Sequence, residues 1–152
     1  MKSIVSYLIT FLAMIIALML FLQSKWVPQW AADQQLITRC TLIGGVGGVI
    51  YCLRAVYINA CVRKCWDEQW HPWYYIRPVV SLISGGVSWL FLSAGLLILD
   101  ADDQVNSNPT GFLALAFIAG YNVDKFMAKL EQLAESAWGI EKSRSSTSKD
   151  ER

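Results

Sequence analysis

Residues 4–22 run for nineteen positions without a charged side chain, and no other feature of the chain limits its fold as much. As a helix the run is about 28 Å long at about 1.5 Å per residue, which matches the hydrocarbon thickness of a bilayer. Backbone placed in lipid must satisfy its own hydrogen bonds, so a continuous apolar run of this kind selects a helix. Lys2 ahead of it resembles the positive start of a secretory signal, but nineteen apolar residues exceed the usual signal core and no small-x-small cleavage pattern follows closely. The run reads as a retained span.

Three more apolar segments follow. The second, residues 36–62, carries Arg39 near its start and Arg54 inside it, so only the fourteen residues 40–53 are uncharged; it spans if the two long side chains snorkel to opposite interfaces. The third, residues 78–99, has twenty-two uncharged positions between Arg77 and Asp100, with Pro78 in its first turn, where a missing N–H costs little. The fourth, residues 111–123, stays uncharged for thirteen positions before Asp124 and Lys125. An all-α polytopic membrane protein with four transmembrane helices is therefore expected, residues 1–123 forming the bundle. Composition agrees: 55% of the 152 residues are hydrophobic and 16% charged, against about a quarter charged in soluble domains. A net charge of +1 excludes the broad basic field of a nucleic-acid binder.

Orientation follows from the basic residues, which are retained on the cytoplasmic side. With the N-terminus inside, that side collects Lys2, Arg54, Arg63, Lys64, Arg77 and all six basic residues after position 124, whereas the other side holds Lys25 and Arg39. Both termini are then cytoplasmic. The acidic stretch 100–103 falls outside. Trp26 and Trp30 flank one face and Trp66, Trp70, Trp73, Tyr74 and Tyr75 crowd the other, as amphipathic rings at headgroup depth should.

Small residues mark helix contacts. Gly44, Gly45, Gly47 and Gly48 in the second span and Ser81, Ser84, Gly85 and Ser88 in the third are spaced to let backbones approach closely. Gly44, Gly45, Gly48, Ser81, Gly85 and Ser88 are the expected packing residues, the alternative being an unwound, ion-binding glycine stretch.

Beyond the fourth span the apolar residues Val123, Phe126, Leu130, Leu133, Ala137 and Ile140 alternate at spacings of three and four, a heptad seam. Residues 124–140 should form an amphipathic cytoplasmic helix stopped near Gly139, either self-associating or lying on the bilayer surface. The same register reaches back to Ala119, Ala116 and Phe112, so one helix could leave the membrane with an unbroken face. The tail, residues 141–152, has no apolar residue and should be disordered.

Chemistry is sparse. Asp124 lies about 20 Å below the outer edge of its span and Arg54 at comparable depth, which suggests an Arg54–Asp124 ion pair, or a polar lining that adds Asn122 and Lys125. Cys61, Cys65 and His71 do not have the number or spacing of zinc ligands. His71 is the sole histidine and precedes Pro72 in an interfacial loop, which leaves Ser88 without a base for intramembrane hydrolysis. No phosphate-cradling glycine loop is present. No cofactor or metal is expected.

The string Trp73-Tyr74-Tyr75-Ile76-Arg77-Pro78, with Ala116-Phe117-Ile118-Ala119-Gly120-Tyr121 in the last span, resembles a pattern in small bacterial multi-pass membrane proteins without an assigned activity. The resemblance implies a bacterial inner membrane. Together these readings point to a non-enzymatic inner-membrane protein, structural or regulatory, with a lipid bilayer around it and a second copy or another protein docked on its last helix. A homo-oligomeric pore or membrane-permeabilising effector is the alternative.

Overall fold

The computed structural model describes residues 2–24, 34–64, 66, 68–95 and 109–139, and every regular element among them is helical. The expectations placed on Trp26, Trp30, Cys65, the acidic stretch, Ile140, the tail and the side chain of Ala137 lie outside the described residues. The helices are α1, Lys2–Leu22; α2, Gln35–Tyr57; α3, His71–Ser93; α4, Pro109–Tyr121; and α5, Val123–Trp138. A π-helical turn, Ile58–Val62, prolongs α2, and a 3-10 turn, Glu68–Trp70, leads into α3. Three helices, α1, α2 with its π turn, and α3, are long and apolar enough to cross a membrane. α4 is apolar but only thirteen residues long.

α1 carries no charge after Lys2, yet it buries only Ile4, Leu8 and Ile15, one ridge at spacings of four and seven. Ile4 and Leu8 pack on Val49, Cys52 and Val56 of α2 and on Tyr74 of α3. Its remaining flanks, with Ile9, Met14, Leu18 and Phe21, are exposed. Water would not tolerate that surface; hydrocarbon solvates it.

α2 is the hub, touching α1, α3 and α4. Its glycines are where backbones meet. A β-carbon on Gly44 would lie 2.6 Å from the Gly85 Cα and 2.7 Å from the Ser81 carbonyl oxygen of α3. One on Gly47 would lie 2.6 Å from the Phe117 carbonyl oxygen of α4, and one on Gly120 would overlap the Gly44 carbonyl. Gly48 faces the Ser81 side chain, while Gly45 faces Leu82 and Ile15 instead of backbone. The glycine string stays helical from end to end. It serves close packing on two sides, without the unwinding that an ion-binding stretch would need.

Two boundaries differ from expectation. α3 begins at His71, with Pro72 in its first turn, so Pro78 lies inside the helix and Arg77 lies within it instead of flanking it. A proline inside a membrane helix breaks one backbone bond, a loss that such helices accommodate by small backbone adjustments or contacts with neighbours. The last helix is not continuous either: Asn122 takes φ −116° and ψ 53°, which separates α4 from α5. Asparagine favours such breaks because its side chain competes for local backbone groups. Backbone bonds bridge the break, from Asn122 N–H to Ile118 and from Phe126 N–H to Asn122, each 2.9 Å. α5 stops at Gly139 in the left-handed conformation, φ 65°, a stop that glycine makes without a β-carbon penalty.

Candidate functional site

Arg77 is the most buried charge among the described residues, 6% exposed. A guanidinium out of water needs compensation on every side. Its Nη1 donates to both carboxylate oxygens of Asp124, at 3.0 and 2.9 Å. Its central carbon sits 4.8 Å from the Tyr51 ring centroid and 5.5 Å from that of Trp73, close enough for the negative faces of both rings to attract it. Nε is buried without a hydrogen-bond partner. The Asp124 side chain is 80% exposed, so the pair is lopsided, with the cation inside and the anion at the surface.

Each element contributes for a local reason. The i, i+4, i+7, i+11 spacing of Arg77, Ser81, Ser84 and Ser88 lines one face of α3, and all four are buried. Tyr51 of α2 meets Trp73 at 5.9 Å and takes the edge of Tyr121 from α4 at 5.4 Å. The Tyr121 hydroxyl accepts a bond from Arg54 Nη1 at 2.8 Å. The break at Asn122 then turns the chain so that Asp124, in the first turn of α5, meets Arg77.

The arginine that holds Asp124 is therefore Arg77, and Arg54 holds Tyr121 instead. Asn122 forms the helix break, with no side-chain capping bond, and Lys125 is exposed. Of the seam residues, Val123 and Phe126 are buried within the chain, and Leu130 and Leu133 are half-buried. Arg77, Tyr51, Trp73 and Tyr121 were missed as a site from sequence because Arg77 read as a flank. The available signal was its phase with the three serines.

Ser81 supplies a cap across helices. Its hydroxyl lies 2.9 Å from the Gly120 carbonyl of α4 and 2.9 Å from its own helix's Arg77 carbonyl, and one proton serves both. Gly120 is among the last carbonyls of α4, which have no partner within that helix. Ser81→Ala is expected to destabilise by about 1–2 kcal/mol, because a buried carbonyl loses its donor. Ser88 bonds only within α3, to Gly85 at 2.7 Å, and Ser88→Ala should stay within about 0.5 kcal/mol. Reversible unfolding in mixed micelles, followed by circular dichroism, measures both; equal effects would contradict the interhelical cap.

Among the described residues, no three of His, Cys, Asp and Glu come together as a metal cluster. Comparison with protein families, with curated proteins and with solved structures finds no match.

Proposed function

We propose that the chain is a non-enzymatic, four-span protein of a bacterial inner membrane, with both termini cytoplasmic, whose α5 acts as a self-association element. The observation that carries this reading is the attachment of α5. Asp124 on Arg77, with Val123 and Phe126 buried beside it, fastens the first turn of the helix to the bundle. The later turns, with Leu130 and Leu133, extend beyond that anchor in heptad phase. A helix held at one end presents its far end at a defined angle, which is what a docking element requires.

The membrane placement has its own support. A carboxylate that is 80% exposed is too costly to leave in hydrocarbon, so the Arg77–Asp124 level corresponds to headgroups. Lys2, Arg54, Arg63, Lys125 and Lys129 belong to the same end of the bundle by their positions on α1, α2, its π turn and α5; excess positive charge there marks the cytoplasmic face. α4 reaches that level as the short fourth span, with local thinning of the bilayer making up its length.

The test uses single cysteines at Leu130 or Leu133 with Cys61 and Cys65 changed to serine. Interchain disulfides and a detergent-corrected mass of two or more chains are expected. A monomeric particle with no crosslink at any concentration would overturn the reading.

A further inference from the structure

At the arginine end of the bundle a cavity of about 410 Å³ opens between α2, its π turn and α3. This volume is in the range of small-ligand sites. Tyr51, Trp66, Trp70, Trp73 and Tyr74 supply its aromatic walls. Asn59 and Arg63, both on or beside the π turn, supply its polar groups.

We propose that this cavity binds the phosphate-bearing headgroup of an anionic phospholipid, with Arg63 receiving the phosphate and the aromatic walls receiving the glycerol and upper acyl region. The backbone around it is built for placement. In the π turn the Arg63 N–H bonds to the Ile58 carbonyl at 2.8 Å, one residue farther back than in an α-helix, a distortion concentrated at functional sites. Lys64 follows with φ 53°, a conformation that lysine adopts only when its surroundings impose it. Asn59 Nδ2 donates to the Tyr74 hydroxyl at 3.2 Å, and Trp66 stacks on Tyr74 with centroids 5.7 Å apart. The walls are thus tied to one another without a ligand.

Charge decides which ligand fits. An aromatic box is also the recognition element for organic cations. Here, however, Arg77 already presses on Tyr51 and Trp73, two of the walls, and Arg63 stands in the cavity itself. Asp124 neutralises Arg77, which leaves Arg63 as the charge in the lining; with a cation in the cavity and the faces of two rings already engaged, an anion is favoured. Arg63 makes no ion pair among the described residues, and its planar fork suits a phosphate. The apolar part of the ligand follows from the surroundings: Trp70 is 60% exposed, and Tyr57, Val62 and Ile76 on the same elements are exposed too. A free phosphate would have no use for such walls; an amphiphile at the interface has.

Native mass spectrometry of the full chain in a neutral detergent tests this with phosphatidylglycerol, phosphatidylcholine and inorganic phosphate as probes. One phosphatidylglycerol per chain should be retained, at least tenfold more tightly than phosphatidylcholine, and millimolar phosphate should not displace it. Arg63→Gln should weaken retention about tenfold, the loss of one charge-assisted contact. Arg39→Gln, near the opposite end of α2 from the cavity, should change retention less than about twofold. Unchanged melting of Arg63→Gln, read by circular dichroism, separates lost binding from lost fold, and Trp70→Ala, at an exposed wall, should weaken retention if Arg63→Gln fails to fold. Equal retention by wild type and Arg63→Gln, equal effects of the two arginine variants, or displacement by inorganic phosphate would each overturn the proposal.

Discussion

Alanine in place of Gly120 is expected to destabilise the bundle by about 3 kcal/mol or more, at or beyond the upper end of overpacking costs, because the obstacle is backbone. The added methyl would overlap the Gly44 carbonyl and lie 2.5 Å from that carbonyl's carbon. Neither helix can yield by rotating a side chain; α4 must move away from α2, which also breaks the Ser81–Gly120 bond. Gly86→Ala is the matched control. Its nearest obstacle is the Thr41 hydroxyl at 2.9 Å, a side-chain group that can shift by weakening its 2.9 Å bond to the Ile37 carbonyl, and alanine's better helix propensity of about 1 kcal/mol offsets that cost. Gly86→Ala should be near neutral. Unfolding in mixed micelles distinguishes the two, and a Gly120→Ala protein as stable as wild type would remove the backbone contact as a source of stability.

The second large effect is an asymmetry at the buried arginine. Asp124→Asn is expected to cost about 2 kcal/mol, less than the 3–5 kcal/mol typical of breaking a fully buried pair, because solvent reaches the carboxylate side. In an Arg77→Met background the same substitution should cost less than about 0.5 kcal/mol, since an exposed aspartate without its partner is simply hydrated. Additive costs would mean that the pair is a surface contact of no consequence. Limited trypsin digestion gives a second readout. Without the anchor, α5 should detach and cleavage after Lys125 and Lys129 should accelerate in Asp124→Asn.

The helical class and the long spans were legible because hydrocarbon imposes a simple demand, apolar side chains over a fixed length. The second segment shows how far that reaches: residues 36–62 were expected and α2 with its π turn covers Gln35–Val62, despite two arginines. Gly44 and Gly85 could be marked as contact residues from spacing alone. That Gly47 of the same string turns to α4, and that Gly120 meets α2, could not be read, because glycine within an apolar stretch carries no information about which neighbour it faces. Arg77 was misplaced for a related reason. Charge was taken as the boundary of a helix, whereas two aromatic faces and a carboxylate from a distant helix let it sit buried within one. Those partners are 26, 4 and 47 positions away along the chain, and only the fold brings them together. The break at Asn122 was hidden by a heptad that runs through it, since an apolar repeat is blind to a single backbone torsion.

The single ridge of α1 on the hub has a consequence for biogenesis. This segment is translated before α2 and α3, on which most of its eventual contacts lie. It then waits among lipids as a solitary rod until they arrive, and the lack of any charged side chain in residues 4–22 keeps that interval inexpensive. Its departure would leave the glycine junction of the other three helices intact, so the amino-terminal rod is a late-docking outrigger and the centre of cohesion lies downstream.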